Sequence, residues 1–270
     1  MKTLSTAAVA ALALSAAAHG ATITNGNASL TLIDTIFSGG GGNGTFLTDT
    51  GVSDQLFHLG WYYRNLPSGS NRAFSNLDTP VVTTAPGVLT ATYTNAGAGV
   101  ADAGRFNAVF RIRLIDGATP GSAAVYTNLR FTNINSGPRT FNLFNVNDLD
   151  ILGSAPTQAG NDTATATGQF ADFTDSATAN TGQTFANADV TRVAQSLGLR
   201  STANSGSGNF AASAGPVTGD VASGYQWTFT LQAGESIELV SAIGLNQAVP
   251  TPGALALLGM GGLLAGRRRR

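Results

Sequence analysis

From Arg105 to Ile115 the chain alternates. Phe106, Ala108, Phe110, Ile112 and Leu114 point one way, while Arg105, Asn107, Arg111 and Arg113 point the other, with Val109 among them. A period of two over eleven residues predicts a strand with one buried and one wet face. The same pattern returns at Tyr225, Trp227, Phe229 and Leu231, and again at Ile237, Leu239 and Ile243 beyond the turn at Ala233-Gly234. Leu30 with Leu32, and the runs Val88 to Thr94, Val125 to Ile134 and Phe141 to Val146, read similarly. Turns fall at Asp116-Gly117, Pro120-Gly121 and Ser136-Gly137-Pro138. About nine to twelve strands joined by such turns predict an all-β chain, an antiparallel β-sandwich of jelly-roll type. Threonine, frequent on the polar faces, suits a pleated surface because its β-branch packs there.

Two stretches depart from this pattern. Ser38 to Gly44 reads as a flexible glycine loop. Residues 153–223 are rich in Ala, Thr, Gly, Asn and Ser, and read as long loops with short strands or a brief helix near Ala186–Leu199. No repeat of fixed period supports a solenoid or propeller.

Composition narrows the chemistry. There is no cysteine, so disulfides, thiolate metal sites and a cysteine nucleophile are excluded. The two histidines, His19 and His58, are too few for a multi-histidine zinc site. The only lysine is Lys2, and four of the thirteen arginines end the chain. Between the ends, nine arginines face fifteen acids, a net charge of −6. A nucleic-acid binder needs a basic stripe on its body, so no nucleic-acid partner is expected.

The two ends carry addresses. In residues 1–21, Lys2 precedes an apolar run from Ala7 to Leu14 and small residues at Ala16, Ala18 and Gly20. This is the pattern of a secretory signal peptide, cut by signal peptidase after Ala18 to Ala21. Residues 22–249 form the expected ectodomain. In residues 250–270, Pro250, Thr251 and Pro252 precede fourteen residues without a charged or polar side chain, from Gly253 to Gly266, followed by Arg267, Arg268, Arg269 and Arg270. A helix of that length reaches about 21 Å, short of a ~30 Å hydrocarbon core. Arginines beside an apolar segment stay cytoplasmic, which places the body outside and gives the tail a transient transmembrane association.

The Pro-Thr-Pro-Gly motif, short apolar segment and terminal arginines resemble the PEP-CTERM sorting signal of exported bacterial proteins. Thr251 stands where that family has glutamate. The resemblance implies processing by an exosortase-type membrane protease and a destination at the cell envelope, outer surface or extracellular matrix. The runs Asp54 to Arg64, Phe141 to Asp150 and Tyr225 to Ser236 resemble uncharacterised β-rich ectodomains carrying this tail.

Three groups bear chemistry. Asn147, Asp148 and Asp150 place oxygen side chains close along one segment, with Asn145 before them and Asn161-Asp162 after, a pattern open to calcium. The alternative is a strand end with Asx turns. Trp61, Tyr62, Tyr63 and Arg64 offer an aromatic platform for sugars, or else a core strand. Glu235 and Glu238 are the only glutamates and lie on one strand. They do not make the flanking carboxylate pair of a glycosidase.

These readings predict a non-enzymatic surface protein, a structural or adhesive component associated with exopolysaccharide. The alternative is a carbohydrate-binding module, with or without calcium. A polysaccharide hydrolase ranks third.

Overall fold

The structure is a computed structural model of the 270-residue chain. It describes residues 21–32, 44–49, 54–65, 69–77, 79–96, 105–151, 162–176 and 180–249. Nearly all of the signal segment, the glycine loop up to Asn43, Asn161 and the whole of residues 250–270 lie outside the described residues.

Seventeen strands and one α-helix make up the described chain. The first seven strands are β1 (Ala21–Asn25), β2 (Ala28–Leu32), β3 (Gly44–Leu47), β4 (His58–Asn65), β5 (Arg72–Ala73), β6 (Val81–Ala85) and β7 (Val88–Ala96). The middle of the chain supplies β8 (Phe106–Asp116), β9 (Ala123–Asn133), β10 (Arg139–Asp148), β11 (Asp162–Thr167), β12 (Phe170–Asp175), β13 (Thr181–Ala186) and β14 (Val190–Gln195). Helix α1 (Ser196–Ser205) follows, then β15 (Val217–Gly219), β16 (Val221–Leu231) and β17 (Ser236–Leu245).

Two large antiparallel sheets form a sandwich. One has five strands in the order β14-β16-β10-β4-β5, and the other nine in the order β15-β11-β12-β13-β17-β9-β8-β7-β6. A small sheet, β1-β2-β3, packs beside β6 and β8. The expected all-β antiparallel sandwich is therefore the observed fold. In β8 the alternation is complete: Phe106, Ala108, Phe110, Ile112 and Leu114 are buried, while Arg111 and Arg113 are exposed.

Aromatic rings fill the space between the two large sheets. Trp61 stacks on Trp227 at 5.4 Å and meets Phe110 edge-on at 5.5 Å. Phe131 meets Phe141 edge-on at 4.9 Å, joining the sheets further along. Such pairs add to the burial of their large apolar area.

Residues 153–223 depart most from the sequence reading. They supply β11 to β15 and α1 instead of mainly loops. Ala164, Ala171 and Phe173 are buried in the main core, so the small side chains there reflect close packing. The helix begins at Ser196, after a strand, where the sequence placed it ahead of Leu199. Among the described residues, no helix is long and apolar enough to cross a membrane.

Candidate active site

Strand β4 reads HLGWYYRN, and its two faces have different fates. Leu59, Trp61 and Tyr63 turn inward to the main core. His58, Tyr62 and Arg64 turn outward, onto the face that α1 covers. On most sandwiches an outer face is wet. Here β10 is buried on both faces from Phe141 to Asp148, because α1 and the segment after it lie on top. Tyr62, Phe144, Val146, Leu199, Ala203, Phe210 and Ala222 make a second apolar cluster between sheet and cover.

Polar groups gather at one end of this covered face. Asp148 of β10 is the direct cross-strand partner of His58 of β4. Directly opposed residues in an antiparallel pair share a face, with Cβ atoms about 5 Å apart. His58 Nε2 lies 2.7 Å from the Tyr62 hydroxyl. Ser196, the first residue of α1, donates its hydroxyl to Asp148 Oδ2, and Arg200 Nε lies 3.6 Å from the same oxygen. Asp148 is 1% exposed, and its Oδ1 is buried with no hydrogen-bond partner.

Burial dominates the electrostatics. It pushes the Asp148 carboxyl up to about 7, with the Ser196 hydrogen bond opposing, Asp220 and Asp150 adding repulsion, and Arg200 pulling back. Burial likewise raises Asp150 to about 6, helped by Asp220 and Asp54. It also raises Asp162 to about 7, against a backbone hydrogen bond from Ile151. Tyr62 is pushed upward by the same cause and stays a neutral phenol. A carboxyl that titrates near neutrality beside an imidazole is suited to giving and taking protons.

Of the two readings open for Trp61 to Arg64, the structure bears out the core strand. Trp61, Tyr62, Tyr63 and Arg64 are at most 4% exposed, so they form no surface platform. Arg64 instead spends its donors on the backbone carbonyls of Ser207 and Gly208, at 2.5 and 3.0 Å, and on the Asn209 side chain. Asn147 and Asp148 sit on opposite faces of β10. Asn147 donates to Asn145 Oδ1 at 2.9 Å inside the sandwich, while Asp148 faces the cover. Asp150 lies beyond the strand end, so Asn147, Asp148 and Asp150 do not converge. Among the described residues, no group of three His, Cys, Asp or Glu side chains could hold a metal ion. Glu235 accepts from the Gln232 backbone in a turn at 2.7 Å, and Glu238 pairs across strands with Arg130. The pairing of Asp148 with His58 was missed because it joins strands far apart in the chain. Its one trace in the sequence is an aspartate just past the predicted strand Phe141 to Val146 and a histidine three residues ahead of Trp61.

No family model matches the chain, and no curated protein matches it. Solved structures do. A galactose mutarotase-like protein from Lactobacillus casei aligns at TM-score 0.51 and 9% identity, over 84% of this chain and 100% of that one. A galactose mutarotase related enzyme from Lactobacillus acidophilus aligns at TM-score 0.56 and 7% identity, over 84% and 97%. A protein from Synechocystis aligns at TM-score 0.51 and 10% identity, over 91% and 99%. At these identities the likeness is one of fold. It counts against the expectation of a non-enzymatic structural or adhesive protein, because proteins with this sandwich include enzymes related to galactose mutarotase. The sandwich is an architecture that a galactose mutarotase related enzyme also has.

Proposed function

We propose that this protein is an exported sugar-processing enzyme that opens and recloses a cyclic aldose by proton transfer, with Asp148 as base and His58 as acid. The observation that carries the reading is the cross-strand pairing of Asp148 with His58 on the covered face of the five-stranded sheet. The fold likeness to mutarotase-like proteins supports the substrate class.

The reaction follows from the groups present. The Asp148 carboxylate takes the proton of the anomeric hydroxyl. The C1–ring oxygen bond breaks as the C1 carbonyl forms, and the imidazolium of His58 gives its proton to the ring oxygen. Rotation about C1–C2 presents the other carbonyl face, and the same steps in reverse close the ring and return both protons. A carboxyl raised to about 7 is a better base than an ordinary aspartate and is still half ionised at neutral pH. The Tyr62 hydroxyl, 2.7 Å from Nε2, holds the imidazole in place.

The sequence ends support export. Lys2, the apolar run and the small residues direct the chain to signal peptidase. Pro250, Thr251, Pro252 and Gly253, with the four terminal arginines, direct it to an exosortase-type protease. The body then meets its sugar at the cell surface or outside.

Polarimetry of fresh α-D-galactose and α-D-glucose with the purified protein tests the activity. Acceleration over buffer, lost in Asp148→Asn and in His58→Gln, is expected. No acceleration of any aldose tried would remove the reading.

A further inference from the structure

Residues 196–213 lie over the candidate site as a single piece of chain. The helical part is weak by its own sequence. It reads SLGLRSTANS, with no side-chain cap at Gln195, no acid in its first turn and no base in its last. The Thr202 and Ser205 hydroxyls bond back to the carbonyls of Gly198 and Ser201, which does little to hold a helix. Packing therefore maintains α1.

That packing is directed at one sheet. Leu199, Ala203 and Phe210 rest on Tyr62, Phe144, Val146 and Ala222. The approach is close enough to require glycine beneath it. A Cβ on Gly224 would lie 2.8 Å from the Phe210 ring and 3.0 Å from Leu199. The polar ties run the same way. Asn71 Nδ2 donates to the Thr202 carbonyl at 2.8 Å, and the Asn71 backbone N–H donates to Gly206. Gln226 Oε1 accepts the Phe210 backbone N–H at 2.7 Å. Arg64 holds Ser207, Gly208 and Asn209, and Asp148 holds Ser196 and Arg200. These ties end on the five-stranded sheet or on Asn71 at the head of β5. The inter-sheet core does not depend on them.

We infer that residues 196–213 are an autoinhibitory cover that lifts as one unit while both large sheets stay folded, and that lifting admits the sugar to His58, Tyr62 and Asp148. The second half of this rests on the reading given above; the first does not. A segment with its own set of ties and little intrinsic helicity opens at a free energy well below that of global unfolding. In the closed form, Arg64 and Asp148 are occupied by chain groups in the same volume that a polyhydroxylated substrate would enter.

The native absence of cysteine makes the test clean. Ala203→Cys places a thiol on the buried side of the cover, and Ala108→Cys places one in the inter-sheet core. Both positions are fully buried. Labelling by an aromatic disulfide reagent should be at least ~100-fold faster at residue 203 than at residue 108, as local opening outpaces global opening. Equal rates would overturn the cover. Hydrogen exchange of the unmodified protein gives the same comparison without a substitution: amides of 199–205 should exchange well before those of 108–114, and matching protection would also overturn it. Phe210→Ala should speed labelling at residue 203 by about tenfold. If the cover lifts but neither the unmodified protein nor Phe210→Ala accelerates mutarotation, the sugar reading fails and the cover stands.

Discussion

The His58 imidazole reaches the Tyr62 hydroxyl along one face of β4 by passing over Gly60. A Cβ on Gly60 would lie 2.2 Å from His58 Nε2 and 2.6 Å from the Tyr62 oxygen. Glycine is therefore required by the contact itself. Gly60→Ala should break the 2.7 Å hydrogen bond and cost about 1–3 kcal/mol as an overpacked site. Urea unfolding with the tryptophans as probe measures it. A neutral Gly60→Ala would show that the two rings have room to part.

Stability should fall as pH rises from about 4 to about 7. Asp148, Asp150 and Asp162 all have folded pKa values raised above the 3.8 of the free side chain, to about 7, 6 and 7. Between these values the folded state binds more protons than the unfolded chain, so the slope of unfolding free energy against pH is negative. Thermal melts at pH 5 and pH 7.5 should give the higher Tm at pH 5. A Tm that climbs over this range would contradict the burial of these carboxyls.

Asp148→Asn separates stability from activity. The amide keeps a hydrogen-bond acceptor for Ser196 and removes the buried charge that opposes folding at neutral pH. The variant should melt no lower than the parent at pH 7.5, with a flatter dependence on pH, while mutarotation is lost. Loss of both together would assign Asp148 a structural role alone.

Trp61 is a core residue. It is fully buried, stacked on Trp227 and edge-on to Phe110. Trp61→Ala should cost about 3–5 kcal/mol and weaken the near-ultraviolet circular dichroism from the stacked pair. A cost under about 1 kcal/mol would match a surface ring and not a buried one.

The proposed export and tail processing are checked by intact-mass measurement of the mature protein. The expected species starts near Thr22 and ends at the Pro250–Gly253 junction. A mature form that still ends in Arg270 would exclude processing there.

What the sequence made legible follows from which faces are wet. β8 could be read residue by residue because arginines mark its outer face and phenylalanines its inner face. β10 is legible as a strand from Phe141 to Val146, but its two faces cannot be told apart in the sequence. Asn142, Phe144, Val146 and Asp148 lie under the cover while Phe141, Leu143, Asn145 and Asn147 face the core, so polar and apolar residues mix on both sides. Period-two reasoning needs a solvent contrast, and α1 removes it. The same cover hid the site. His58 looked solitary because its partner sits at the far end of a distant strand, and Asp148 looked like a turn residue because only the fold buries it. In residues 153–223, alanine, threonine and glycine signalled looseness by composition, whereas Ala164 and Ala171 are small because the core closes tightly around them.

The order of strands in the sheets sets when this protein can fold. β17 lies between β13 and β9 near the middle of the nine-stranded sheet, and β16 lies between β14 and β10 in the five-stranded one. The last two strands among the described residues are thus inner members of the two large sheets. Until they arrive, each sheet exists as two halves with facing edges unpaired. Such long-range pairing is slow to form. A chain threaded outward from its N-terminus would stay open through most of its passage and close only after residue 245 has emerged.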